Sequence, residues 1–157
     1  MELTPNTALN FFAWNCAWTR GRFDPEVNKI RTCYHHCSDN LSDKQINEYL
    51  DTCSRAVIVI NEDGKLRGFA FCDFINSKAS FRVRIIKGDN FAIKLMMRYF
   101  RIESRSKYVK EFLITVDSEK ISVFQEYGFK VCEENPILED GRIEMYNEEK
   151  MRNFGPK

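Results

Sequence analysis

The sequence predicts an α/β (α+β) fold, in which a mixed, mostly antiparallel sheet is covered by helices on both faces. Segments with strand periodicity alternate with segments of helical periodicity, and a sheet built in this way needs helices on each side. Two Asp-Gly pairs, Asp63-Gly64 and Asp140-Gly141, separate apolar runs and predict two-residue turns, which join antiparallel strands. With 157 residues the chain is long enough for one hydrophobic core and too short for two, so residues 1–157 are expected to form a single domain.

The N-terminal third predicts three helices after a short strand at "MEL". Thr4-Pro5 is a helix entry, because Thr caps a helix and Pro is tolerated at its first position, and residues 9–16 then carry apolar side chains at helical spacing. Asp24-Pro25 opens the second helix. Ser42 and Gln45 form a capping-box pattern that opens the third.

The rest of the chain predicts six strands and two helices. "AVIVI" and "LRGFAFCDFI" are apolar on both faces and belong inside a covered sheet. "SFRVRII" alternates, with Phe81, Val83 and Ile85 on one face and Arg82 and Arg84 on the other. After "KGDN" follow an amphipathic helix, the strand "EFLITV", a short helix "SEKISVFQEY" and two closing strands, "FKVCEEN" and "GRIEMYN".

The last strand is expected at an edge of the sheet. Glu144 within "GRIEMYN" and the charged tail behind it would protect that edge from pairing with a strand of another chain. The sequence leaves open whether a protein partner binds there.

Composition excludes several classes of protein. Apolar residues make up 43% of the chain and charged residues 30%, so an ordered globular protein is expected rather than a flexible tail. No segment approaches the roughly 18 apolar residues of a membrane span, and "MELTPNTALN" lacks the basic start of an export signal. The six cysteines lack the dense spacing of a secreted scaffold. We therefore expect a soluble, cytoplasmic protein with reduced thiols.

The motif "CYHHC" raises the question of a metal site. Cys33 and Cys37 lie one helical turn apart, with His35 and His36 between them, but a structural zinc site usually has a second ligand pair at similar spacing and the sequence contains none. No bound metal is expected.

Charge is distributed unevenly along the chain. Residues 78–110 contain ten Lys and Arg against two acidic residues, and residues 111–149 contain eleven acidic residues against three Lys and Arg. The basic stretch lacks the aromatic residues that stack single-stranded nucleic acid, so a nucleic-acid partner is not expected. The asymmetry fits either an anionic ligand or ion pairing between the two halves.

The order of elements resembles the GNAT (Gcn5-related N-acetyltransferase) family. "INEDGKLRGFAF" looks like the second and third strands of the family, and "ISVFQEYGFKV" is similar to its ending "A-I-x-F-Y-x-K-x-G-F". The resemblance covers nearly the whole chain, most convincingly residues 42–132. In overall organisation the chain is also similar to small acetyltransferase-like proteins of tailed phages.

The resemblance implies that acetyl-CoA binds where the fourth and fifth strands part. Backbone amides around Ile85 and Ile86 would pair with pantetheine, and the loop into the next helix would hold the diphosphate at the helix N-terminus. Counting along the family's Arg/Gln-x-x-Gly-x-Gly/Ala loop gives Lys87, Asn90 and Ala92. The residues implied to bind the cofactor are Ile85, Ile86, Lys87, Gly88, Asn90, Phe91, Ala92 and Phe124.

The chain departs from the family pattern at two of these positions. Asn90 stands where a glycine is expected, and either Asp89 or Asn90 could cap the helix and occupy the amides that a diphosphate needs. Phe124 stands where the family often has a tyrosine that protonates the leaving thiolate, and losing such an acid typically costs about 10²–10⁴ in rate. Tyr127 and Ser122 are the remaining candidates for that proton transfer.

The acceptor cleft is expected to carry Arg82, Arg84 and Asp73. The two arginines would favour an anionic substrate, or they would pair with Asp73 or Glu111 on neighbouring strands, and both interpretations remain open. No acidic residue lies on "SFRVRII", where the acceptor-activating base of the family often is.

Two hypotheses of different classes follow. In the first, the protein is an acetyl-CoA-dependent N-acyltransferase that acts on an amine of a small molecule or a protein. In the second, it is a catalytically degenerate GNAT-fold protein that serves as a structural or interaction component, for example of a phage particle, and would then be virion-associated. Fold alone does not decide between them.

Overall fold

A computed structural model describes residues 9–35, 41–75, 79–106, 109–134, 136–138 and 141–147. The strands are β1 (Leu9–Asn15), β2 (Arg55–Asn61), β3 (Leu66–Ile75), β4 (Ser80–Gly88), β5 (Glu111–Val116), β6 (Lys130–Val131) and β7 (Ile143–Asn147). The helices are α1 (Pro25–His35), α2 (Asp43–Thr52), α3 (Asn90–Ser106) and α4 (Ile121–Gln125), with 3-10 turns at Cys16–Trp18 and Ser118–Lys120. The mixed, mostly antiparallel sheet with helices that the sequence predicts is confirmed.

The first predicted helix, which starts at Thr4-Pro5 and ends near "TRGRF", is wrong, because residues 9–15 within it form strand β1. All seven of its residues pair with β2 in antiparallel register, from Leu9 opposite Asn61 to Asn15 opposite Arg55. Its aromatic residues favour a strand once a neighbouring strand offers hydrogen bonds, and such long-range pairing overrides the helical spacing. The strand predicted at "MEL" lies outside the described residues.

Local turn and cap signals were reliable predictors. The Ser42 side chain accepts from the Gln45 amide at 3.2 Å, and the Gln45 side chain accepts from the Ser42 amide at 2.9 Å, so the predicted capping box is confirmed. Gly64 has φ +77° in the turn between β2 and β3, a conformation that favours glycine, and the predicted hairpin is confirmed.

The sheet contains seven strands in the order β1-β2-β3-β4-β5-β7-β6. Every neighbouring pair is antiparallel except β4 and β5, which are parallel. β7 therefore lies between β5 and β6, and its predicted position at an edge is wrong. The edges of the described sheet are β1 and β6. Glu144 consequently lies on an internal strand, where protection of an edge does not explain its charge.

Two hydrophobic cores lie on opposite sides of the sheet. We call the side under α3 the α3 face and the side under α2 the α2 face. On the α3 face, the helix packs on buried side chains that include Val57, Ala70, Phe81, Phe112, Ile114, Phe124 and Met145. On the α2 face, Ile46 and Leu50 pack on buried side chains that include Ile58, Phe69, Phe71 and Ile85. No helix in the described part of the chain is long and apolar enough to span a membrane.

A bulge in β4 changes the predicted alternation of its side chains. Cys72 on β3 lies opposite Val83, but the preceding residue, Phe71, lies opposite Ile85, so Arg84 has no partner on β3. The extra residue moves Ile85 to the α2 face, whereas Val83 stays on the α3 face. The expectation that Val83 and Ile85 share a face is therefore wrong.

Candidate active site

Strands β4 and β5 part half-way along their length. Their parallel pairing extends from Ser80 opposite Glu111 to Val83 opposite Ile114. Beyond this point comes the bulge at Arg84, and the remaining residues of the two strands do not pair with each other. We call the space between residues 84–88 of β4 and the end of β5 the gap. Its backbone amides are where an extended ligand could add hydrogen bonds as a further strand would.

Small residues bring the start of α3 close to the sheet beside the gap. Gly68 on β3 lies opposite Gly88 on β4. A Cβ atom at Gly88 would lie 2.8 Å from the Gly68 Cα and 3.3 Å from the Ala92 Cβ, and the φ of Gly88 is +146°. Only glycine fits this conformation and this spacing. The helix N-terminus is thus held directly at the end of β4.

The N-terminus of α3 is capped by Asp89. Its carboxylate accepts from the Ala92 amide at 3.0 Å and forms an ion pair of 2.9 Å with Arg67. The amides of Asn90 and Phe91 donate to no acceptor in the part of the chain that the structure describes. A capping side chain therefore competes with a bound anion for one amide, that of Ala92, and the capping residue is Asp89.

Charged side chains face one another where the gap opens, next to α3. The Lys87 ammonium donates to both carboxylate oxygens of Asp117 at 2.9 Å, which joins β4 to the residue that follows β5. Lys120 donates to the Asn90 side chain at 3.3 Å. The cavity here has a volume of about 300 Å³ and is lined by three cationic and three acidic residues: Arg67, Lys87, Lys120, Asp89, Asp117 and Glu119. A diphosphate would have to take Lys87 from Asp117.

The predicted acceptor residues are paired with carboxylates. Arg84 forms an ion pair with Asp73, and it also donates to the Thr52 hydroxyl at 2.8 Å. Arg82 lies 3.5 Å from the Glu144 carboxylate on β7. The pairing interpretation therefore holds for Arg84, while the partner of Arg82 was not predicted.

Arg142 is a site residue that the sequence did not reveal. Its guanidinium donates to the backbone carbonyl of Arg84 at 2.8 Å and lies 3.4 Å from the Tyr49 hydroxyl. Since Arg142 precedes β7 and Arg84 lies in the β4 bulge, this side chain reaches across the gap from the α2 face. No local pattern in "GRIEMYN" indicates such a contact, because it joins residues 58 positions apart.

The three candidate residues of α4 and its end have different environments. Phe124 is 1% exposed and packs at right angles to Phe129 on the α3 face. Ser122 is exposed. Tyr127 is half-buried against the same core, and burial, followed by the charge of Glu126, raises the pKa of its hydroxyl. Tyr127 therefore keeps its proton at neutral pH.

The structure offers no metal centre among the described residues. No group of three or more His, Cys, Asp or Glu side chains in that part of the chain could hold an ion. Of the motif "CYHHC", His36 and Cys37 lie outside this part of the chain, and so do the side chains of Cys33 and His35. Burial raises the pKa of both Cys16 and Cys53 to about 12, so these thiols stay protonated and unreactive at neutral pH.

Solved structures share this architecture, although no protein-family model and no curated protein matches the sequence. An acyl-CoA N-acyltransferase from Pseudomonas aeruginosa is 12% identical; the match covers 89% of this chain and 99% of that chain with a TM-score of 0.63. Tetrahymena Gcn5 is 13% identical, with 88% of this chain and 95% of that chain covered and a TM-score of 0.63. The chain has the GNAT fold. The spermidine/spermine N-acetyltransferase SpeG from Vibrio cholerae, in mutant forms, shares the GNAT fold at 15% identity, with 92% of this chain and 96% of that chain covered and a TM-score of 0.57.

Proposed function

We propose that this protein is an acetyl-CoA-dependent N-acyltransferase that acetylates an amine. The observation that supports the proposal is the parting of β4 and β5 after Val83 and Ile114, beside the N-terminus of α3. The gap offers unpaired strand amides for an extended ligand, and the helix start offers amides and a lysine for an anion. The similar solved structures carry the names of acyl-CoA and polyamine acyltransferases, which fits the same chemistry.

Each part of acetyl-CoA has candidate partners in this chain. We expect backbone amides around Ile85 and Ile86 to pair with pantetheine, and Lys87 with the amides of Gly88, Asn90 and Phe91 to hold the diphosphate. Ala92 is not available in the same way, because Asp89 accepts from its amide. Phe124 would contribute only as packing behind the gap, since its side chain is buried.

The acetyl transfer does not require a strong acid on α4. The amine nitrogen attacks the thioester carbonyl carbon and releases one proton to water. A C–N bond forms, the C–S bond breaks, and the thiolate leaves with the electron pair. Because a thiolate is a good leaving group, the reaction can proceed with Phe124 in place of the tyrosine that the family often has. Tyr127, which is protonated at neutral pH, Ser122 or water would supply the proton.

Calorimetric titration with acetyl-CoA tests the proposal. We expect micromolar binding to the wild-type chain and at least tenfold weaker binding to Lys87→Gln, because the diphosphate loses its cation. Lys65→Gln is the matched control, since Lys65 is exposed in the turn between β2 and β3. Absence of binding at millimolar acetyl-CoA would exclude the function.

A second function is favoured by a specific observation. Lys87 is paired with Asp117 across the gap, and Asp89 places a negative charge at the helix N-terminus where a diphosphate would bind. These contacts suit a GNAT-fold protein that no longer transfers acyl groups and serves an assembly. Activity of the wild-type chain would exclude this second function. If the wild type is inactive, the double variant Asn90→Gly with Phe124→Tyr gives the reason: activity in the variant means that only those side chains were lost, whereas continued inactivity means that the gap itself is closed.

A further inference from the structure

Arg142 and Tyr49 meet on the α2 face of the sheet, where the gap begins. The Arg142 guanidinium donates to the backbone carbonyl of Arg84 at 2.8 Å, and it lies 3.4 Å from the Tyr49 hydroxyl. Arg84 is the bulge residue that follows Val83, the last residue of β4 that pairs with β5. Direct contact with the strand that borders the gap therefore places this guanidinium at the start of the gap.

The core beneath Tyr49 holds its ring in one orientation. The ring stacks on that of Phe71, with centroids 5.0 Å apart and planes 5° from parallel. Phe71 is fully buried, whereas Tyr49 and Arg142 are both partly exposed, so a ligand can reach their polar ends. Helix α2 and the segment before β7 thus place two hydrogen-bond donors side by side, a phenol hydroxyl and a guanidinium, and such preorganised donors bind a ligand at a lower cost in ordering.

The charges at this point favour an anionic ligand. Arg84 is paired with Asp73 and also donates to the Thr52 hydroxyl at 2.8 Å, so the charges of Arg84 and Asp73 offset each other. The contacts of Arg142 with Arg84 and Tyr49 are both with uncharged groups. A guanidinium binds a carboxylate through two parallel hydrogen bonds, a geometry that a single carbonyl oxygen cannot provide. A carboxylate that enters from the α2 face would therefore be a better partner for Arg142 than the backbone carbonyl is.

We infer that Arg142 and Tyr49 bind the carboxylate of an acceptor that also carries the reactive amine, which makes the acceptor a small amino acid. The inference rests on the proposed function and specifies its acceptor. Since both donors lie where the gap starts, a short spacer between carboxylate and amine suffices for the amine to reach a thioester in the gap. The ammonium form of the acceptor first releases a proton to water, and the neutral amine then attacks as in the proposed function. A polyamine would be a poor acceptor, because its charges would repel Arg142.

Pairs of acceptors that differ only in the carboxylate test the assignment. Glycine, β-alanine and 4-aminobutyrate are compared with their primary amides, with kcat/KM expressed per unprotonated amine. For the spacer that fits, we expect the wild type to prefer the carboxylate at least tenfold. Arg142→Gln should lose this preference through a higher KM for the amino acid, with kcat and the rate toward the amide nearly unchanged. Arg142→Lys keeps the charge without the planar fork and should recover part of the preference.

Two further variants refine the test. Tyr49→Phe keeps the ring on Phe71 and removes only the hydroxyl, so it should raise the KM for the amino acid severalfold. Lys44→Gln is the matched control for the loss of one positive charge, because Lys44 is exposed on α2, the helix that carries Tyr49. Its preference for the carboxylate should equal that of the wild type.

Two binding measurements separate this inference from the function on which it rests. The affinity for acetyl-CoA, measured by calorimetry, should be the same in Arg142→Gln and wild type. Titration of the protein with the same amino acids, without acetyl-CoA, should shift the NMR signals of Tyr49 in the wild type and leave them unchanged in Arg142→Gln. Amino acids that react no better than their amides, a preference that survives in Arg142→Gln, or the absence of NMR shifts would overturn the carboxylate site. Absence of acetyl-CoA binding with the NMR shifts preserved would instead overturn the proposed function alone.

Discussion

The two halves of strand β4 are held in place by different kinds of interaction. From Ser80 to Val83 the strand has backbone partners on both sides, β3 and β5, and its apolar side chains are buried. After the bulge at Arg84, residues 85–88 keep their pairing with β3 but have no partner on β5, and side chains reach across the gap instead. Lys87 binds Asp117, and Arg142 binds the Arg84 carbonyl.

The difference indicates which half can change its partners. Backbone pairing and core packing contribute to one cooperative unit, and opening them costs much of the stability of the domain. Side-chain ion pairs near the surface contribute little and exchange with ligands of the same charge. The paired half therefore anchors the strand, and the parted half is the one that a ligand could occupy.

The largest expected effect is on stability, from Phe81→Ala in the paired half. Phe81 is fully buried, and its ring centroid lies 4.8 Å from that of Phe112 and 5.3 Å from that of Phe100. Emptying this position should lower the free energy of unfolding by about 3–5 kcal/mol, measured by urea denaturation. Phe12→Ala on β1 is the control, since that side chain is 49% exposed and its loss should cost less than about 1 kcal/mol. Similar losses in both variants would contradict the anchoring role.

A smaller loss of stability is expected for Gly88→Ala at the end of the parted half. The substitution combines an unfavourable backbone conformation with a Cβ atom 2.9 Å from the Arg67 carbonyl oxygen, and we expect about 2–5 kcal/mol. Gly64→Ala is the control for a glycine at positive φ without close contacts. Gly64 has φ +77° and nothing lies within 4 Å of its Cβ position, so the substitution should cost about 1–2 kcal/mol. Equal costs in the two variants would mean that the close approach of the β3 backbone to Gly88 contributes nothing to the loss.

Asp117→Asn should strengthen acetyl-CoA binding about tenfold, with little change in the fold. The substitution removes the charge that competes with a diphosphate for Lys87 and keeps an oxygen that can accept from it. Calorimetric titration of both proteins measures the change. Asp51→Asn, an exposed position on α2, controls for the loss of one negative charge. Unchanged or weaker binding in Asp117→Asn would show that the ion pair does not close the site.

Elements with local signals could be predicted from the sequence. The capping box of Ser42 and Gln45 and the turn at Asp63-Gly64 each act within a few residues, so the chain around them was predicted well. The strand character of β1 and the position of β7 depend on which strands lie beside them. Neither is encoded locally, and both predictions were wrong. The β4 bulge, which moves Ile85 to the other face, likewise depends on its pairing with β3.

The same division applies to the candidate site. Lys87, Gly88 and Asn90 were predicted from a loop pattern and do lie at the gap and at the start of α3. Asp117 and Arg142 were not predicted, because they join β4 from 30 and 58 positions along the chain. Partners of that kind follow from the strand order, which single-sequence patterns do not give.

The smallest expected effect is a difference in thiol labelling between the two regions. Cys72 lies opposite Val83 in the paired half and is fully buried, and burial raises the pKa of its thiol well above the usual range. Cys132, beside Glu144, is only half-buried, and its pKa is raised mainly by burial. Because the thiolate is the reactive form, iodoacetamide should modify Cys132 faster as pH increases and leave Cys72 intact in the folded protein, as peptide mapping by mass spectrometry would report. If Cys72 reacted as fast as Cys132, β3 and β4 would have to separate readily, and the paired half would not be the anchor of the strand.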